Sequence, residues 1–287
     1  MDLGSIRMTL GIFAKTFARP TVEEVFAAVG RHHLRCVQFN FASAGLPSLP
    51  HEIEPELAKR IRRSAAEHRL AIGAVSGTFN MIHPDAKHRR DGLHKLGVIA
   101  AVCEPLGATL VTLCTGTRDP ENMWRRHLEN DSSEAWRDLT VSMTKALTIA
   151  DKHNITLGIE PETGNVVSSS RHARRLLDEM KSPRLKIIMD AANLFPPGDL
   201  PRMNEILAEA FDLLGGDIAL AHAKELGADG HAGGLVPGAG VLDWDRYLSL
   251  LRSVKFVGPL IMHGFEERNV AASVQFLREK LPSERKR

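Results

Sequence analysis

Four apolar runs in the second half of the chain each close on a side chain able to hold a metal ion. They read Ile155-Thr156-Leu157-Gly158-Ile159-Glu160, Leu185-Lys186-Ile187-Ile188-Met189-Asp190, Ile218-Ala219-Leu220-Ala221-His222 and Leu260-Ile261-Met262-His263. Short apolar runs bounded by polar residues read as buried strands. The interval from each closing residue to the next is about one strand plus one helix. A chain that repeats strand and helix in this way is constrained to parallel pairing with right-handed crossovers. In such a fold the chemistry gathers where strands run into their following loops. One polar group closing an apolar strand is ordinary. Four in phase send two carboxylates and two imidazoles into one mouth.

The first half continues the pattern. Strand-like runs start near Met8, Arg35, Ala71 and Thr109, and the later ones near Ile155, Leu185, Ile218 and Pro259. Helically spaced apolar residues fill the intervals, as in Val22 to Val29, Leu57 to Ala66 and Leu93 to Val102. Thr21 ahead of Glu23 and Asp243 ahead of Trp244 are helix caps. Pro20, Pro55, Pro183 and Pro259 stand where helices should not continue. Eight such units predict an α/β protein, a (β/α)₈ TIM barrel, which needs roughly 250 residues. The 287 residues are expected to form one domain over 1–287, with a polar tail at 282–287. An open doubly wound sheet would want a glycine-rich turn after its first strand, and Phe13-Ala14-Lys15-Thr16 is not one.

A net charge of +2 gives no support for a nucleic-acid partner. Cys36, Cys103 and Cys114 are odd in number and form no CxxC pair, so reduced thiols in a cytoplasmic setting are expected. No leader-like start and no membrane span are read from the chain. The segments Phe41 to Pro55, Thr115 to Ser132, Ala191 to Pro201 and Ala223 to Leu242 predict long loops on one face, which marks that face as the working one.

Glu160 is followed by Pro161, which fixes the backbone behind it. Glu162 is expected to face away or to support the site from behind. Asp190 after three apolar residues needs a cation or donors. Glu160, Asp190 and His222 form a hard, oxygen-rich ligand set with one imidazole. It favours Mn²⁺ or Mg²⁺, with Zn²⁺, Co²⁺ or Fe²⁺ also compatible. Structural zinc usually draws on cysteine, and no cysteine is placed to help. Lys224 is a candidate for binding negative charge and His83 for touching substrate. Arg118 and Trp124, in the fourth loop, are candidates for a lid or sugar platform.

Four pieces carry a family resemblance: Gly158-Ile159-Glu160-Pro161-Glu162, Met189-Asp190-Ala191-Ala192-Asn193-Leu194, His222-Ala223-Lys224-Glu225 and Pro237-Gly238-Ala239-Gly240-Val241-Leu242-Asp243-Trp244. Together they resemble the sugar isomerase/epimerase family with the xylose-isomerase-like barrel. The resemblance implies a divalent metal, often manganese, held by Glu, Asp, His and Glu at the ends of strands five to eight. It also implies two glutamates that move a proton between adjacent sugar carbons. Glu160, Asp190 and His222 match as ligands. Three positions depart from the pattern: His263 replaces the second glutamate, Asn193 replaces a substrate-binding histidine, and Gln38 stands where many members have a glutamate.

The expectation is therefore a metal-dependent isomerase or epimerase that works through an ene-diolate on a small sugar, sugar phosphate or related hydroxy-carbonyl compound. Glu160 and His263 are the candidate catalytic groups. Glu160, Asp190, His222 and His263 are the candidate ligands, and His83, Asn193, Lys224, Arg118 and Trp124 the candidate substrate contacts. The alternatives are a metal-dependent lyase or dehydratase, a non-catalytic sugar-binding barrel, and an apurinic-endonuclease-like nuclease that would recruit Asp229 and His231. The partner expected is a small carbohydrate-like molecule. Pairing into a homodimer is left open.

Overall fold

Strand and helix alternate through the whole of a computed structural model that describes residues 8–281. The first half runs β1 (Thr9–Phe13), α1 (Val22–Arg31), β2 (Cys36–Phe39), α2 (Pro55–Glu67), β3 (Ala71–Ser76), α3 (Ala86–Leu106), β4 (Leu110–Leu113) and α4 (Ser133–His153). The second runs β5 (Thr156–Ile159), α5 (Ser170–Met180), β6 (Leu185–Asp190), α6 (Met203–Leu214), β7 (Ile218–Ala223), α7 (Trp244–Ser253), β8 (Pro259–Met262) and α8 (Val270–Lys280). The strands pair in parallel in sequence order, and β1 pairs with β8 to close the barrel. The polar tail expected at 282–287 lies outside the described residues.

Local chemistry explains the boundaries. The Thr21 hydroxyl accepts from Glu24 N at the start of α1, and the Asp243 carboxylate accepts from Arg246 N at the start of α7. Pro55 opens α2, the position where its missing N–H is harmless. One boundary differs from the sequence reading. α3 extends on both sides of the periodic stretch Leu93–Val102 and carries Pro105 in its last turn. Asp85 supplies the early start by accepting from Lys87 N, and Gly107 ends the helix in the left-handed region at φ 76°.

The core has two parts. A large apolar layer lies between the strands and the surrounding helices. A smaller plug of Cys36, Ala74, Leu110, Ile188, Leu220 and Ile261 fills the barrel interior. Gly158 on β5 makes room for it, because a Cβ there would lie 2.4 Å from Ile188 Cδ1. Polar residues replace apolar ones toward the strands' carboxyl ends, where Gln38, Ser76, Thr112, Asp190 and His222 are all buried. Register slips fall between Val37 and Gln38 and between Ile187 and Ile188. Such irregularities re-aim the side chains beyond them.

Candidate metal and substrate site

Asp190 ends β6 directly opposite His222 on β7, as a cross-strand pair in register. His263 follows the end of β8, so three neighbouring strands deliver three metal-capable groups. One ligand atom from each of Asp190, His222 and His263 lies within 4.8 Å of the other two. Glu160, just past β5, falls outside that triplet but flanks it, with Oε2 3.4 Å from His222 Nδ1.

His222 is the centre of the arrangement. Its Nε2 lies 2.9 Å from Gln38 Oε1 on the far side of the barrel. Gln38 in turn donates from Nε2 to Ser76 Oγ and Thr112 Oγ1, both at 3.3 Å. The amide oxygen is thereby left to accept, so His222 carries its hydrogen on Nε2. The other nitrogen, Nδ1, is buried and makes no aligned hydrogen bond. It faces Glu160 Oε2 at 3.4 Å and Asp190 Oδ2 at 3.5 Å. A buried nitrogen between two carboxylate oxygens requires either a proton or a metal ion. Two carboxylates and two imidazoles with one orphaned nitrogen suit a divalent cation, and the residues present fit such an ion.

Asp190 Oδ2 collects three cationic or donor groups: Lys224 Nζ at 2.9 Å, His263 Nε2 at 3.1 Å and His222 Nδ1 at 3.5 Å. Burial works to raise this carboxyl, but Lys224 and the two histidines hold it well below the usual carboxylate range. Burial also opposes charge on His222, yet Glu160 and Asp190 lift it to about 9. His263 goes the other way: burial and the neighbouring His222 charge push it down to about 4. The two rings sit 4.2 Å apart, edge to face, so one cation is accommodated and a second is not.

Lys224 and Asn193 extend the network. The ammonium donates to Asn193 Oδ1 at 2.6 Å, and Asn193 Nδ2 donates to Glu160 Oε1. Asn193 is thus oriented at both ends. Above these groups opens a cavity of about 550 Å³, and Asn193, Lys224, Glu160, His222, His263 and Trp124 are among its lining residues.

The remaining sequence candidates divide. Trp124 reaches the mouth and is 53% exposed. Asn130, in the same loop, donates from Nδ2 to Gly164 O and so ties the fourth loop to the fifth. His83 lies outside the cavity lining. Its Nδ1 accepts from Asp85 N, its Nε2 lies 3.2 Å from Pro120 O, and its ring stacks on His88. Arg118 is also outside the lining. It donates to Ile82 O and Asp138 Oδ2, which pins the fourth loop to the neighbouring loop and to α4. Glu162, expected to face away or to support the site from behind, lines the cavity. Burial, then the nearby Glu160 charge, raises it to about 7.

Four contributors are hidden in the sequence. Lys15 and Phe13 line the cavity from the end of β1, and only a first-strand position hinted at this. Glu225 is fully buried. Its carboxylate accepts from the backbone N–H groups of Leu226, Gly238 and Leu242 and from Trp244 Nε1. It knots the seventh loop against the barrel. Tyr247, the chain's single tyrosine, places its hydroxyl 2.9 Å from the carbonyl oxygens of both Met189 and His222. It fixes the ends of β6 and β7 from outside.

A closed parallel barrel with acidic and imidazole groups at successive strand ends defines a class of fold and site. The family described as xylose isomerase-like TIM barrel matches residues 26–280, and the chain belongs to that family. Among solved structures it is similar to 3-keto-D-glucoside 4-epimerase from E. coli, with TM-score 0.73 and 16% identity over 96% of this chain and 99% of that one. It is also similar to D-allulose 3-epimerase from Methylomonas sp. in complex with D-allulose, with TM-score 0.71 and 15% identity over 96% of this chain and 98% of that one. The IolI protein with a bound zinc atom gives TM-score 0.72 and 14% identity over 95% of this chain and 96% of that one. No curated protein matches in sequence. Among the described residues no helix is long and apolar enough to cross a membrane.

Proposed function

We propose that this chain is a divalent-metal-dependent isomerase or epimerase acting on a small sugar, sugar phosphate or related hydroxy-carbonyl compound. The observation that carries the reading is the meeting of Asp190, His222 and His263 around the orphaned His222 Nδ1, with Glu160 beside it, at the base of a cavity. Sugar epimerases among the structural neighbours support the same class.

Asp190, His222 and His263 would hold the ion, with Glu160 completing the set. When bound, such an ion stabilises negative charge developing on two adjacent substrate oxygens. The chain's own groups do the rest. Glu160 removes the proton from the carbon next to the carbonyl, with Oε1 held by Asn193 so that the carboxylate cannot rotate freely. A positioned base of this kind contributes about 10²–10⁴-fold. Collapse of the ene-diolate to product needs a group that returns a proton. His263, pushed down to about 4, is suited to binding metal and poorly suited to donating a proton at neutral pH. Glu162, raised to about 7 in the same cavity, fills that role better. Asn193 and Lys224 bind substrate oxygens, and Trp124 offers an apolar face at the mouth.

The experiment is elemental analysis of purified protein, then a solvent-deuterium exchange screen over short aldoses and ketoses with added Mn²⁺. Metal-dependent exchange at the carbon beside the carbonyl is expected. Tight binding of a sugar with no exchange would instead favour a non-catalytic binder, and release of water would favour a dehydratase. The nuclease alternative has little support, because Asp229 and His231 form an exposed turn whose residues do not line the cavity.

A further inference from the structure

Lys224 is a buried lysine with a built channel. Its stem passes beneath two glycine backbones of the seventh and eighth loops. A Cβ on Gly264 would lie 3.0 Å from Lys224 Cγ and Cδ, and one on Gly233 would lie 3.6 Å from Cδ. Both glycines have positive φ, at 82° and 90°. The channel leads the ammonium to Asp190 Oδ2 at 2.9 Å and Asn193 Oδ1 at 2.6 Å.

That Oδ2 is the oxygen nearest both imidazoles, while Asp190 Oδ1 is occupied by the N–H of Ala192 at 3.1 Å. Oδ2 is therefore the Asp190 oxygen that would serve beside His222 and His263 in holding an ion. A carboxylate oxygen that already accepts from an ammonium and an imidazole has no unshared direction left for a cation. Two positive charges about 3 Å apart also repel strongly in a water-poor site. Asp190 and His222 are anchored in strands. Lys224 Nζ sits at the end of a flexible four-carbon stem, and it keeps Asn193 and the cavity as alternative partners. It is the group that can give way.

We propose that Lys224 is the resident cation of this site: its ammonium competes with a divalent ion for Asp190 Oδ2, and metal binding drives it off that oxygen toward the cavity. The inference rests on the metal-dependent reading above. It assigns Lys224 two tasks. It neutralises Asp190 before metal arrives, and it is released toward substrate afterwards. It also implies that the site holds metal more weakly than its ligand set alone would.

The test is calorimetric titration of Mn²⁺ into the wild-type protein and Lys224→Met. The variant should bind about tenfold tighter or better, since a repelling charge is gone. In parallel, acetic anhydride labelling of Lys224 in the wild-type protein, read by mass spectrometry, should speed up several-fold when Mn²⁺ is added. This arm needs no variant and stands if Lys224→Met fails to fold. Equal or weaker metal binding by the variant, or labelling that Mn²⁺ leaves unchanged or slows, would overturn the proposal while leaving the enzyme reading intact. Metal uptake by the variant alone would show that Lys224 shuts the ion out, and would overturn both the displacement and the metal-dependent reading of the natural chain. Uptake by neither would sink both.

Discussion

Gln38 and His222 are 184 residues apart in the chain, yet Gln38 Oε1 meets His222 Nε2 at 2.9 Å across the barrel. The contact decides which ring nitrogen faces the carboxylates. Groups that hydrogen-bond a metal-binding histidine from behind usually change metal affinity by 10- to 100-fold when lost, so Gln38→Leu should weaken Mn²⁺ binding by about that factor. Gln38→Glu keeps an acceptor and should retain most of it. Calorimetry on both variants checks this. Undiminished binding by Gln38→Leu would mean that packing alone holds the ring.

Glu160→Gln preserves the shape of the side chain and an oxygen to accept from Asn193. It removes the basic carboxylate. Proton exchange at the carbon beside the substrate carbonyl should fall by about 10²-fold or more, with an unchanged unfolding temperature. The readout is deuterium incorporation by NMR. Exchange at the wild-type rate would take Glu160 out of the chemistry.

Metal binding should release a proton. His222 in the folded, metal-free protein is raised to about 9 from an ordinary 6.5. Its proton therefore stabilises the metal-free fold fully below 6.5, and this contribution disappears as pH rises through about 9. A ligand must be deprotonated, so Mn²⁺ affinity should climb with pH across that window. Calorimetry in buffers of different ionisation enthalpy should show about one proton released per ion near neutral pH. Zero release at that pH would be incompatible with His222 as a ligand.

Glu225 gathers four N–H donors on one buried carboxylate. Glu225→Leu strands all four, and each orphaned buried donor costs about 1–3 kcal/mol. A loss of at least about 3 kcal/mol in urea unfolding is expected. Proteolytic cleavage should appear within residues 226–242. A variant as stable and as protease-resistant as wild type would show that the seventh loop is held by other means.

The barrel was legible because its signal is periodic. β6 and β7 begin at Leu185 and Ile218, where the apolar runs begin. The strand-end quartet was legible for the same reason, since phase along a strand fixes which face of the barrel a closing residue reaches. Partnerships across the barrel were not legible. Nothing near Gln38 in sequence announces His222. His83 reads as a polar residue after a strand, and Asp85 and His88, two and five positions on, engage its ring locally. Arg118 is similar: a cation in a ligand-rich loop reads as a ligand contact, and in the structure it donates to Asp138 on α4. Glu162 follows proline, and that constraint on the backbone did not reveal which way the next side chain would point.

The plug formed by Cys36, Ala74, Leu110, Ile188, Leu220 and Ile261 seals the barrel beneath the polar groups. The chamber is a blind alley. Whatever enters past Trp124 must turn round, so arrival and release share one doorway.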